Sequence, residues 1–162
     1  MTIETLTKEN ASSVAPLTAA FRVKLNSFKG IAKGPDISAG EEELLYYLDA
    51  GYPVYVAKEG ETPVGYIVCR VESGCVWAES LFVLPEYRRR GIASALFEKA
   101  EQLAASFGED TVYNYIHPNN EAVIAFLGSR GYNVLNLIEI RKPYCGEKLS
   151  QKIRVNDHEF DY

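Results

Sequence analysis

Apolar positions along the chain change period several times, and each change marks an element. Residues 3–6 read as a short strand, Thr7 as a cap, and the following residues as a helix to about Asn26 that Pro16 should kink or interrupt. Residues 27–37 read as loop. Ser38 stands three residues before Glu41, a capping-box spacing, and Leu44, Leu45 and Leu48 line one face of a helix that Gly51 ends. The pattern then turns to β-rich runs over residues 53–58, 64–72 and 75–84, separated by residues 59–62 and by the Ser73-Gly74 pair. Such short breaks predict hairpins, so these three strands should be antiparallel neighbours.

The clearest helix follows. Ile92, Ala95, Leu96, Lys99, Ala100, Leu103 and Phe107 recur at steps of three and four, and Gly108 stops the run. Residues 111–116 are strand-like, residues 120–129 helical with Gly131 as the stop, and residues 132–140 form a β-branched, apolar run expected as a strand. The order predicts an α/β domain with a mixed sheet, in which the strand ending at Leu84 and the strand from Thr111 are parallel and joined by a right-handed crossover.

Composition narrows the class. The 162 residues are 47% hydrophobic and 24% charged, with 17 Lys and Arg against 22 Asp and Glu, a net charge of -5. That is the profile of one globular domain, and a chain of this length buries roughly 70% of its unfolded surface without disulfides or a structural metal. Cys69, Cys75 and Cys145 are odd in number and lack C-x-x-C spacing, and His117 and His158 are the only histidines, so no disulfide framework or zinc site is expected. Asp157, His158 and Glu159 are adjacent and would face opposite ways on an extended chain. A reducing, cytoplasmic compartment is the expectation. The first ten residues, MTIETLTKEN, carry neither a basic nor an apolar leader region, and no apolar stretch approaches the ~20 residues of a membrane span. The acidic balance argues against a nucleic-acid partner, the run Arg88-Arg89-Arg90 notwithstanding.

That basic run lies in the loop between the strand ending at Leu84 and the helix starting near Ile92. A strand-to-helix turn aims the unpaired N–H groups and positive dipole end of the helix outward, where an anion would bind. Gly91 leaves room for that anion and Ala93 keeps the next turn small. These features suit a pyrophosphate cradle, and equally a solvated basic loop. Neither G-x-x-x-x-G-K-[ST] nor G-x-G-x-x-G is present. The spacing that does occur is R-x-x-G-x-A, at Arg88, Gly91 and Ala93, after the V-L-P-E-Y run.

This loop resembles the acyl-coenzyme A loop of the GNAT superfamily of N-acyltransferases. The run ESLFVLPEYRRRGIASAL over residues 79–96 is similar to that family's central motif, and N-x-x-V-I-A-F-L-x-x-x-G-Y over residues 120–132 to its following helix and strand. The order of elements agrees over residues 3–141. The resemblance implies a mixed, mostly antiparallel sheet with a central splayed parallel strand pair and helices on both faces, and acetyl-CoA as acyl donor. It implies that the backbone of Leu81, Phe82 and Val83 bonds the pantetheine arm and polarises the thioester. Arg88, Arg89, Arg90, Gly91, Ile92, Ala93 and Ser94 would form the pyrophosphate cradle, and Asn120 would bond the pantetheine, an N-cap role being its alternative.

Attack by an amine requires loss of a proton, and the resemblance makes Glu79 the provisional base; period-two alternation places it on the strand face of Leu81 and Val83. The bland alternative is an exposed strand carboxylate. Many relatives carry a proton-donating tyrosine where this chain has Leu127, so Tyr115, Tyr132 and Tyr144 are stand-ins, each more ordinarily a packing aromatic. His117 either serves as a base or bonds a loop carbonyl. A thiol nucleophile at Cys145 has no supporting spacing. The implied reaction is acetyl transfer to a primary amine of a small molecule, protein or peptide; the rival is a non-catalytic acyl-CoA-binding module. The acceptor site is expected among the amino-terminal helices, where Glu41, Glu42, Glu43 and Asp49 suit a cationic amine as well as they suit a solvated face. Residues 1–142 make the domain, and residues 143–162 are read as an extension, with a strand at 152–155, that packs on the domain or on the partner in a homodimer.

Overall fold

The computed structural model describes all residues, Met1–Tyr162, which group into two compact units, Met1–Tyr115 and Ile116–Tyr162. The first unit carries a five-stranded sheet: β1 (Thr2–Thr5), β2 (Val54–Glu59), β3 (Thr62–Glu72), β4 (Cys75–Val83) and β5 (Val112–Asn114), in that spatial order. All neighbours are antiparallel except β4 and β5, which run parallel. The Ser73-Gly74 hairpin forms with φ of 51° and 83°, the left-handed pair that matches strand twist.

Alternation along β3 separates the two faces. Tyr66 and Val68 join Val54, Val56 and Phe82 beneath α1 (Ala11–Phe28) and α2 (Ile37–Asp49), through Val14, Leu17 and Leu44. On the other face α3 (Ile92–Ser106) covers the sheet, and a Cβ on Gly65 would reach its Leu96 side chain. Burial on α3 falls on Ile92, Leu96, Phe97, Ala100 and Ala104, so the packed stripe is rotated from the expected one and leaves Phe107 exposed.

Three local expectations are corrected. Thr7 precedes only a 3-10 turn at Lys8–Asn10, without a side-chain capping bond, and α1 begins at Ala11. Pro16 does not interrupt α1, because it lies near the amino end and removes a single intrahelical bond while the rest of the helix packs on α2. The cap of α2 is Asp36, whose carboxylate accepts from the Ala39 N–H at 3.0 Å, rather than Ser38, which is already helical.

The second unit contains α4 (Glu121–Ser129) and a hairpin of β6 (Lys152–Val155) with β7 (His158–Asp161), turned by Asn156 at φ 52° and tied by Lys152 and Glu159 at 2.5 Å. The expected strand at 152–155 is therefore present. The expected strand at 132–140 is absent: these residues join no sheet. Strand propensity is realised only when a neighbour accepts the backbone hydrogen bonds, and none is supplied. No helix is long and apolar enough to cross a membrane.

Candidate active site

Two features of β4 create the site. Its parallel pairing with β5 joins Val76 to Val112, Trp77 to Tyr113 and Ala78 to Asn114, then stops, although β4 continues to Val83. At Leu81 and Val83 the β5-facing backbone edge thus has no strand neighbour, while the backbone of Phe82 faces β3. In addition, Ala78 pairs with Cys69 and Ser80 with Val68, so Glu79 is an extra residue in a β-bulge.

The bulge overturns the simple alternation. Leu81 and Val83 stand opposite Ile67 and Gly65, on the α3 face. Glu79 instead turns its carboxylate to the α1/α2 face, where Oε2 lies 3.1 Å from Arg70 Nε and its charge reaches Tyr47 of α2. Arg70 is held in turn: Nη1 donates to Glu72 Oε1 at 2.8 Å, and the guanidinium lies 5.0 Å from the Trp77 ring and 6.0 Å from that of Tyr115. Trp77 and Tyr115 stack at 4.8 Å and 13°. The Glu79 contact is an ion pair only, Arg70 Nε being buried without a hydrogen bond.

Beyond Val83 the chain makes a 3-10 turn at Pro85–Tyr87 and enters α3 through Gly91, which sits at the N-cap with φ +80° and supplies no capping side chain. The first-turn N–H groups of Ile92, Ala93 and Ser94 therefore lack intrahelical acceptors. Arg89 is also left-handed, at φ +62°, a conformation disfavoured by about 1–2 kcal/mol for a residue with a Cβ. Left-handed residues at Arg89 and Gly91, two positions apart, bend the backbone sharply just ahead of α3. Arg88 Nε donates to the Val83 carbonyl at 2.9 Å, bracing the turn to the end of β4, while the Arg90 guanidinium lies 5.0 Å from the Tyr87 ring. Nothing lies within 4 Å of where a Gly91 Cβ would be, so the cradle is open at that point. Uncapped amides, open space and adjacent cationic side chains fit a pyrophosphate.

In the second unit Asn120 occupies the N-cap of α4, yet its side chain makes no capping bond; its carbonyl accepts from Val123 and Ile124 at 3.1 Å and its N–H donates to the His117 carbonyl at 2.8 Å. His117 accepts the Asn119 N–H on Nδ1 at 3.1 Å. Leu127 is buried, whereas Tyr115 and Tyr144 are exposed.

The expected acidic acceptor residues divide. Glu43 is taken up by Arg22, whose Nε donates at 2.5 Å, and by the Tyr47 hydroxyl at 2.8 Å; Asp49 pairs with Lys8. Burial, with Glu43 as neighbour, pushes the Tyr47 hydroxyl well above its ordinary range, so it remains a donor. A cleft of about 240 Å³ between α1 and α2 is lined by Arg22, Asn26, Lys33, Asp36, Gly40 and Glu43, a mixture of both signs of charge.

Sequence reasoning missed Arg70, Trp77 and Tyr47. The hairpin register and the bulge bring them towards Glu79, and neither has a signature in the chain. Thr18, Tyr66 and Ser80 were missed too; their hydroxyls are buried on this same sheet face.

Comparison with known proteins settles the family. Residues 25–132, more than half of the chain, match the model of the acetyltransferase (GNAT) family. The chain belongs to that family. Its GNAT fold is shared with solved structures of low identity. An aminoglycoside 6'-N-acetyltransferase from Acinetobacter haemolyticus is 17% identical with a TM-score of 0.65, covering 89% of this chain and 99% of that one. A ribosomal-protein-alanine N-acetyltransferase from Brucella melitensis biovar Abortus is 17% identical with a TM-score of 0.67, covering 89% and 100%. The PaiA N-acetyltransferase from Thermoplasma acidophilum, solved with coenzyme A, is 20% identical with a TM-score of 0.66, covering 80% and 89%. No curated protein matches the sequence significantly.

Proposed function

We propose that this GNAT protein moves an acetyl group from acetyl-CoA to a primary amine by direct attack in a ternary complex. The carrying observation is the end of β4–β5 pairing at Ala78 and Asn114, followed on the same strand by the uncapped, glycine-opened start of α3. Leu81, Phe82 and Val83 would hold the pantetheine, chiefly through the β5-facing backbone of Leu81 and Val83, and Arg88, Arg89, Arg90, Gly91, Ile92, Ala93 and Ser94 the pyrophosphate. Asn120, whose side chain caps nothing, is the further pantetheine donor. When bound, acetyl-CoA supplies an activated acyl carbon. The amine nitrogen bonds that carbon as its bond to sulfur breaks, and Glu79 receives the amine proton, directly or through a water. A backbone N–H from the Leu81 to Val83 edge stabilises the developing oxyanion. Leu127 donates no proton, so the sulfur either leaves as thiolate or takes a proton from a stand-in such as Tyr115, Tyr132 or Tyr144.

Leu127 favours a second reading, a domain that binds acyl-CoA without turning it over. Residues 1–142 are the acyltransferase domain in this proposal and residues 143–162 an extension. The acceptor is a small-molecule, protein or peptide amine, no nucleic acid or membrane takes part, and the unpaired Cys69, Cys75 and Cys145 suit the cytoplasm.

The test is calorimetric titration with acetyl-CoA of the wild type and of Gly91→Asp, then thiol release with an amine panel. A new carboxylate ~5 Å from two or three phosphate charges opposes binding by about 2 kcal/mol at the dielectric constant of water, so affinity should fall by at least tenfold. Tight binding without thiol release selects the second reading, and no binding by the folded wild type removes both.

A further inference from the structure

Three aromatic rings gather on the sheet face to which Glu79 turns. Trp77 of β4 pairs with Arg70 of β3 on one side and with Tyr113 of β5 on the other, so all three side chains leave the sheet together. Tyr115 follows two residues after Tyr113. Trp77 lies 4.7 Å from the Tyr113 ring and 4.8 Å from that of Tyr115, the latter pair only 13° from parallel. The Arg70 guanidinium, 5.0 Å from the Trp77 ring and 6.0 Å from the Tyr115 ring, links this stack to Glu79, whose Oε2 is 3.1 Å from Arg70 Nε. Yet Tyr115 is 65% exposed. A ring held flat against a tryptophan and left open to water is a rigid apolar shelf.

Building on the acetyl-transfer reading, we propose that this shelf determines acceptor specificity: Tyr115, backed by Trp77, receives a flat unsaturated ring of the acceptor, which a short saturated spacer joins to the primary amine presented to Glu79. Charge selects the amine end. Arg70, Glu72 and Glu79 carry one positive and two negative charges, a balance that draws an ammonium towards the carboxylates. Ring stacking selects the other end. One cation, Arg70, already lies against both rings and repels a second, whereas a flat neutral ring continues the stack. A saturated chain covers the same surface without the face-to-face contact that a planar group makes. The substrate class is therefore an amine carried on an aromatic ring.

Trp77 is the only tryptophan of the chain, so its emission reports the shelf directly. The full chain is titrated with 2-phenylethylamine and with its saturated counterpart, 2-cyclohexylethylamine, in the presence of coenzyme A and without an acyl donor. The aryl amine should change the emission saturably and bind roughly three- to tenfold more tightly than the counterpart, the range expected of one aromatic stack. Tyr115→Ala should abolish that preference, and Tyr115→Phe, which keeps the ring, should retain it. No saturable change, equal affinity for the two amines, or a preference that survives Tyr115→Ala overturns the proposal, as does its loss in a folded Tyr115→Phe protein. Thiol release after acetyl-CoA is added separates the two readings. Aryl-amine binding without thiol release removes acetyl transfer and keeps the shelf; release with equal kcat/KM for both amines removes the shelf and keeps acetyl transfer.

Discussion

One added methyl group, Gly65→Ala, tests whether the sheet core and the candidate active site are mechanically joined. The new Cβ would stand 2.9 Å from the Phe82 carbonyl oxygen, 3.0 Å from Val83 Cγ2 and 3.3 Å from Leu96 Cδ1. Leu96 can yield by a small rotation, but Phe82 offers backbone, so β4 itself must shift. Overpacking of this kind costs about 2–3 kcal/mol, against which replacing a strand glycine returns roughly 0.5–1 kcal/mol of backbone entropy. A net loss of about 1–2 kcal/mol lowers the melting temperature by ~2–8 °C for a chain of this size. The displaced segment, Phe82 and Val83, is also the proposed pantetheine edge, so acetyl-CoA affinity should weaken several-fold in the same variant. Differential scanning calorimetry and ligand titration read the two effects, with Gly128→Ala as control. That position is inside α4 with nothing within 4 Å of the new Cβ, and the change should stabilise the helix by up to about 1 kcal/mol without altering affinity. A Gly65→Ala protein that melts at or above wild type would refute the packing argument. One that melts lower but binds unchanged would sever the core from the site.

Glu79→Gln should lower kcat by ~10²- to 10⁴-fold and remove the acidic limb of the rate profile while sparing acetyl-CoA binding; an unchanged profile withdraws the base assignment. Arg70→Met should reduce kcat with little effect on acetyl-CoA affinity, because Arg70 orients Glu79, and Arg70→Lys should recover part of the loss; equal impairment in both variants, with weakened cofactor binding, would instead indicate a structural role. Stability should decline in alkali. Burial pushes the Cys69 thiol up to about 12 and raises the Tyr47 and Tyr66 hydroxyls above their usual range, so between pH ~9 and ~12 the native state holds protons that the unfolded chain has released. Stability is therefore full below about pH 9 and falls with rising pH, by up to about 1.4 kcal/mol per pH unit from Cys69 alone. Urea denaturation at pH 8, 9.5 and 10.5 measures the slope, and a flat profile contradicts it.

The chain's periodicities determined the elements of the first unit, the hairpins from β2 to β4, the stop at Gly108 and the helix start at Gly91. These are local matters, set by turn residues, by alternation and by which groups a helix end leaves unpaired. The candidate anion cradle, being built from consecutive residues, could be proposed from the sequence for the same reason. Whatever depends on pairing between distant segments was decided only in three dimensions. Register placed the bulge at Glu79 and so turned its carboxylate from the face of Leu81 to that of Arg70. The α1–α2 contact joined Arg22 to Glu43 and thereby withdrew a carboxylate that looked available in the sequence. Residues 132–140 show the same division from the other side. Their pattern records a capacity for β structure, but a strand exists only where a neighbouring edge takes up its hydrogen bonds, and that is a property of the assembled molecule.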